Sequence, residues 1–206
     1  MCRAVKVAID MNRGDTPLFL EGDSDTLTLD ELIFAKLADA VRMVEMEAPL
    51  SMLESGHDLG DESLFIGDDG KGFIILPNDF MRLTAFRMSD WKRTVFEAIS
   101  ETNPMYSLQS SRWKGICGNP EKPVCALVRR SEGKVLEFYS CKDVRATMTQ
   151  GSYVALPKID LNGGIDVSED CYRAAVYRAA ALVLASLGDQ LSTTMLEMSR
   201  SLIQNS

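Results

Sequence analysis

The chain has 206 residues, 46% of them hydrophobic and 25% charged, with 22 Lys and Arg against 30 Asp and Glu, a net charge of −8. That length suits one large domain or two small ones, and the composition is ordinary for a soluble globular protein. The acidic balance argues against a general phosphate-binding surface, because non-specific nucleic-acid affinity comes from clustered Lys and Arg, but it is compatible with DNA passing by without sticking.

Met1 to Asp10 carries basic residues but no apolar run, so it does not read as a signal peptide. The longest apolar run, Ala179 to Leu187 broken by Ser186, is far short of the ~20 residues a membrane-spanning helix needs. A soluble protein with no membrane partner is expected, intracellular when made. Met11 to Thr26, rich in Asp, Gly, Ser and Thr, reads as an irregular arm. Thr28-Leu-Asp-Glu31 is a capping box, and Leu27 with Leu32 fits the hydrophobic staple around it. Leu29, Ile33, Leu37, Ala40 and Val44 then form one apolar helical face that Pro49 ends, with a further turn expected over Leu50 to Glu54.

Ser55 to Gly72 is Gly- and Asp-rich and reads as loop, with Gly67-Asp-Asp-Gly-Lys-Gly72 as a hairpin turn. It lacks the spacing of a phosphate-cradling loop, and Phe73-Ile-Ile-Leu76 after it reads as strand rather than helix. The middle third is β-rich, with strands expected at 72–76, 82–88, 94–99, 124–130, 134–139 and 153–156. Leu76 to Arg93 reads as two strands around a turn at Pro77-Asn-Asp79, ending in the cluster Trp91-Lys-Arg93. Arg129 to Lys134 is a hairpin connection with Gly133 available for positive φ. Asn103 to Lys122 reads as a long excursion with a short helix near Tyr106, and long ordered loops often serve binding.

The last forty residues read as helical. Ser168 is an expected N-cap, and Tyr172 to Ser186 is so rich in alanine that it can be approached closely from more than one side, which predicts a central helix. Gly188 fits the position that ends it, and a second helix follows with Leu191, Met195, Met198 and Leu202 as its seam. The order helix, strands, helices predicts an α+β fold in a single domain, 1–206. An N-terminal helix and a C-terminal helical hairpin (28–55 and 168–204) form a small bundle, and an antiparallel β-rich region, 72–156, is inserted into it.

No catalytic constellation stands out. His57, the single histidine, sits in the Gly/Asp loop without a GxSxG, HExxH or cysteine-nucleophile motif. The acidic residues Asp58, Asp61, Glu62, Asp68 and Asp69 lack the positions of a calcium loop and read as solvated charge. The five cysteines, Cys2, Cys117, Cys125, Cys141 and Cys171, are odd in number and scattered, which reads as reduced thiols. A zinc site of Cys117, Cys125 and Cys141 matches no known module spacing. No metal or other cofactor is therefore expected. Two aromatic-basic clusters remain, Trp91-Lys-Arg93 and Arg112-Trp-Lys114. The net charge disfavours base stacking, which leaves protein–protein contact or the edge of a core.

Leu76-Pro-Asn-Asp-Phe-Met-Arg-Leu83, followed by Arg87-Met-Ser-Asp-Trp-Lys-Arg93, resembles a pattern of tail adaptor or ring proteins of short-tailed phages, closest to the ring proteins of crAss-like phages. Tyr106 to Lys114, Gly118 to Leu127, Lys134 to Ser140 and the alanine-rich helix ending in Leu187-Gly-Asp189 fit as well, so the resemblance spans roughly residues 28–204. Thr94 departs from it, since proline is expected after Arg93. The resemblance implies a non-enzymatic structural protein of the virion, made in the host bacterial cytoplasm. Such a protein forms a ring homo-oligomer, expected to be twelvefold, in the head-to-tail connector below the portal protein. It extends the DNA channel, which DNA traverses without specific binding, and it offers a platform to further tail or ring proteins. Trp91, Arg93, Arg112 and Trp113 are the candidate subunit-interface residues. The competing readings are a phage assembly factor or other interaction module absent from the virion and, third, a Cys-dependent hydrolase using His57.

Overall fold

The structure, a computed structural model, describes residues 1–9, 28–54, 57–60, 62–111, 113, 115–158 and 164–204. In chain order, α1 (Cys2–Ala8) and α2 (Leu29–Glu47) are followed by β1 (His57–Asp58), β2 (Leu64–Ile66), β3 (Gly72–Ile75), β4 (Phe80–Met88) and β5 (Ile99–Ser100). After α3 (Pro104–Leu108) come β6 (Cys125–Arg130), β7 (Gly133–Phe138) and β8 (Met148–Ala155), then α4 (Tyr172–Ser186) and α5 (Leu191–Gln204). The fold is α+β, as expected. The chain divides into two compact units, one of Met1–Glu54 with Pro157–Ser206 and one of Ser55–Leu156. The β-rich insert therefore begins at Ser55 rather than at 72. β1 and β2 lie in the stretch read as loop, because strands of two and three residues among Gly and Asp carry too little alternation to be seen.

In the helical unit the capping box forms: the Glu31 amide donates to Thr28 Oγ1 at 3.3 Å and the Thr28 amide donates to Glu31 Oε2 at 2.7 Å. Those bonds stabilise the charged carboxylate and hold Glu31 below its ordinary range. Leu27, the other half of the staple, lies outside the described residues, as does the whole of the arm 11–26. α2 buries Ile33, Leu37, Ala40, Val41 and Val44. It packs on α4, which buries Ala174, Ala175, Ala179, Ala180, Ala181, Val183 and Leu184. The alanine side chains let α2, α5 and α1 all approach α4 closely, so α4 is central. α1, unpredicted from its short sequence, inserts Val5 into the same core. α4 ends in a Schellman motif: the Asp189 amide donates to Leu184 O at 2.9 Å, the Gly188 amide to Ala185 O, and Gly188 has φ +71°.

Two helical expectations need correction. Ser168 precedes a 3-10 turn (Glu169–Cys171) and makes no capping bond; its hydroxyl and amide both donate to Glu45 Oε1, at 3.1 and 2.9 Å. The seam of α5 is also rotated: Ser199 and Ile203 are buried, whereas Leu191 and Met198 are exposed. A buried arginine sets that register. Arg178 grips Glu47 with Nη1 and Nη2, at 3.0 and 2.6 Å, and its Nε donates to Ser199 Oγ at 3.3 Å. Ser199 in turn donates to Ala174 O at 2.9 Å. One bidentate ion pair thus ties α2, α4 and α5 together, and it keeps the Glu47 carboxyl below its usual range.

The β-rich unit holds two sheets, β1-β8-β4 and β2-β3-β7-β6-β5. Pairing is antiparallel except for β5 with β6, where Ile99 faces Ala126 in a parallel pair. The strand expected over 94–99 shrinks to β5 and a bridge between Val95 and Phe86. Phe80, Leu83, Phe86 and Met88 of β4 meet Ile74, Leu136, Phe138 and Cys125 of the larger sheet in one core. The Gly67–Gly72 segment forms the predicted hairpin turn, closed by Gly67 donating to Lys71 O at 2.7 Å. Gly70 is required there: it has φ +78°, and a Cβ would lie 2.1 Å from Cys141 O. The Pro77 turn closes too, with the Phe80 amide donating to Pro77 O at 3.0 Å.

Candidate functional site

The proposed interface residues scatter. Trp91 is only 2% exposed and stands edge-on to Phe86 and Phe138, with ring centroids 5.6 and 6.2 Å away. The turn after β4 aims its indole inward, and Arg87 fixes that turn by donating from Nε and Nη2 to Trp91 O, both at 3.3 Å. Trp91 is therefore core and has no surface to offer a neighbouring subunit. Arg93, two residues on, is exposed. Trp113 is 67% exposed on the 103–122 excursion, and Arg112 beside it lies outside the described residues. That excursion is pinned at its base by the buried Gln109, whose Oε1 accepts from the Gly118 amide at 2.7 Å and whose Nε2 donates to Met105 O at 2.9 Å. α3 starts as expected near Tyr106, with the Met105 amide donating to Asn103 Oδ1 at 2.9 Å.

A groove of about 1060 Å³ lies on the face of the five-stranded sheet turned away from the main core. Period-two alternation builds it. Ile74, Leu136 and Phe138 point into the main core, so Phe73, Val135, Glu137 and Tyr139 point the other way. Register aligns Phe65, Phe73, Glu137 and Ala126 in one row across β2, β3, β7 and β6. Phe65 and Phe73 stack at 4.8 Å, and the Arg130 guanidinium sits 4.4 Å from the Phe73 ring centroid. Arg130 donates from Nε to Glu137 Oε1 at 2.9 Å and from Nη2 to the same oxygen at 2.5 Å. Tyr139 and Tyr106 both donate to Oε2, Tyr106 at 3.4 Å. Burial, together with hydrogen bonding to the Glu137 carboxylate and its charge, pushes the Tyr139 phenol far above its ordinary value; burial and the same charge raise Tyr106. Both phenols thus stay neutral donors, and Glu137 is left as an occupied acceptor rather than a free base. Lys71, Val144, Arg145, Ser107 of α3 and Ser110 just after it complete the wall. Such a surface binds by shape, apolar area and rim charge. Sequence reading missed the network, although Val135, Glu137 and Tyr139 recur at the spacing that signals a common face.

His57 lies exposed on β1, its ring 5.3 Å from that of Tyr153, whose hydroxyl donates to Asp79 Oδ1 at 3.2 Å. Burial pushes the Cys141 thiol up to about 12 and the Cys171 thiol to about 11, and it pushes Cys125 well above the ordinary thiol range. At neutral pH these thiols are protonated and poorly nucleophilic. Among the described residues, no three His, Cys, Asp or Glu side chains converge as a metal would need, and no helix is long and apolar enough to cross a membrane. Compared with known proteins, the chain matches no family model, and no curated protein matches its sequence significantly.

Proposed function

We propose that this chain is a structural protein of a phage virion, a subunit of a homo-oligomeric ring in the head-to-tail connector that extends the DNA channel below the portal. The observation that carries this reading is the distribution of large exposed apolar side chains on the β-rich unit: Trp113 at 67%, Phe96 at 56%, Val144 at 49% and Phe65 at 46%. A closed ring needs two different faces on each subunit, each complementary to the other, because its contacts are heterologous. Phe65 belongs to the edge strand β2, and Phe96 precedes β5, the edge strand at the other end of the same sheet. The sequence resemblance supports the connector placement, and the net charge of −8 suits a channel that DNA passes without adhering. Portal protein and further tail or ring proteins are the expected neighbours; no cofactor and no enzymatic step belong to this role. Arg93 and Trp113 remain interface candidates, whereas Trp91 does not. The test is the oligomer mass of purified protein, alone and with its cognate portal, together with electron microscopy. Closed rings are expected. A chain that stays monomeric in both conditions sinks the reading.

A further inference from the structure

We propose that the acidic segment 18–25 of one copy docks on the 103–122 excursion of a neighbouring copy, with Leu18, Phe19 and Leu20 against Trp113 and Ile116. This rests on the ring reading above and names what meets Trp113 and Arg93 in the assembly.

The excursion is a braced platform. At its base the buried Gln109 accepts from the Gly118 amide and donates to Met105 O. At its far end Asn119 and Lys122 form a bridge, and the Lys92 amide donates to Pro120 O at 2.9 Å. On this frame Met105, Leu108, Trp113 and Ile116 are exposed, four large apolar side chains within twelve residues. Cations border them. Lys92 pairs with Glu121 at 2.5 Å, and that bond, with the charges of Lys92, Lys142 and Arg93, holds the Glu121 carboxyl below its ordinary range. The positive sign survives a full count. Residues 80–156 hold twelve Lys and Arg against seven Asp and Glu. At this corner Lys92, Arg93, Lys122, Lys142 and Arg145 stand against Asp90, Glu121 and Asp143. Among the described residues, Arg93, Lys122 and Lys142 are in no ion pair.

The occupant follows from chain length and charge. Residues 10–27 carry Asp10, Asp15, Glu21, Asp23 and Asp25 against Arg13 alone. They join ends that lie close together: Lys6 pairs with Asp30 at 2.6 Å, and Val5 and Ile9 share a core with Ile33. A connection between neighbouring helices needs roughly 2–8 residues, so this one is far longer than closure demands. Out and back, its length allows a reach of about 30 Å. By count its midpoint is Leu18-Phe19, and Glu21, Asp23 and Asp25 follow. An apolar triplet followed by three carboxylates matches the platform in both polarity and sign. Each copy has one such segment and one platform, so the contact repeats around a ring or closes as a reciprocal pair, and particle mass decides between them.

The test uses the full chain in two arms. In the first, isotopically light and heavy wild-type protein are mixed as dissociated subunits, assembled with portal, and treated with a carbodiimide that joins a carboxylate to an amine in direct contact. Links from Glu21, Asp23 or Asp25 of one isotope to Lys92, Lys122 or Lys142 of the other are expected. The same links found only within one isotope mean that the segment docks on its own chain, and they overturn the proposal. In the second arm, Phe19→Asp and Trp113→Ala are each expected to weaken subunit association about tenfold with an unchanged melting temperature. Reversing Glu21, Asp23 and Asp25 to Lys, or Arg93, Lys122 and Lys142 to Glu, is expected to weaken it about a hundredfold, and combining the two reversals to recover most of that loss. Wild-type association in every variant, with links only elsewhere, overturns the contact and leaves the ring reading intact. Light–heavy links at these residues in a particle of two copies uphold the contact and sink the ring. A wild-type chain that is monomeric with and without portal defeats both.

Discussion

α4 of the helical unit buries Ala174, Ala175, Ala179, Ala180 and Ala181, whereas the β-rich unit buries Trp91, Phe86 and Phe138 in mutual edge-on or tilted contact. One core is built from small side chains and the close approach of backbones, with a buried ion pair setting helix register. The other fills the space between two sheets with aromatic volume, and places its polar network on the outer face. The first should resent any gain in size or loss of a charge partner, and the second any loss of volume.

Deleting the aromatic keystone should have the largest effect. Trp91→Ala is expected to cost about 4 kcal/mol, read by urea denaturation, with hydrogen exchange accelerating in β4 and β7 before α4. Monomer stability left at the wild-type level would return Trp91 to the surface role first expected of it. Glu47→Ala strands the buried Arg178 and should cost about 3 kcal/mol, with protection lost first in α4 and α5. Ala179→Leu should cost about 2 kcal/mol by overpacking; a neutral outcome would mean that α4 is not closely approached. Thr28→Ala removes one half of the capping box and should cost about 1 kcal/mol.

The smallest expected effect depends on pH. Burial raises the Glu45 carboxyl above 4.5, so the folded state holds that proton more tightly than the unfolded chain does. The group's ionisation costs stability as pH rises through the folded value, and the cost is absent below the unfolded value. Glu45→Gln should therefore raise the neutral-pH melting temperature by about 2 °C, with the gain fading as pH falls toward 4.5. A gain that grows on acidification would contradict this.

Local grammar was legible wherever neighbouring residues settle the geometry. The Thr28–Glu31 box, the Gly188 terminus, the Pro77 turn and the hairpins at Gly67–Gly72 and Arg129–Lys134 all depend on a few adjacent side chains and on backbone freedom. β1 and the parallel β5 were not legible, because their pairing partners are distant in sequence and each is two residues long; β2 pairs with the adjacent β3 across the Gly67–Gly72 turn, but its three residues carry too little alternation to be seen. The α5 seam was misread because hydrophobic spacing favours Met198 over Ser199. Only the buried Arg178, with Glu47 from another helix, makes a serine the inward residue. The groove was half legible. The alternation of Val135, Glu137 and Tyr139 marks a second face on β7, but Arg130 and Tyr106 reach Glu137 only through the fold. Trp91 and Trp113 looked alike in sequence, each beside basic residues, and the turn that aims one inward and the excursion that leaves the other exposed depend on distant contacts.

The central claim is that the chain is a permanent part of the particle, and quantitative mass spectrometry of purified virions tests it most directly. The account predicts this protein in fixed ratio to the portal, about one copy per portal subunit if the ring shares the portal's symmetry. Particles that lack the protein, or carry it far below that ratio, would contradict the account and point to an assembly factor.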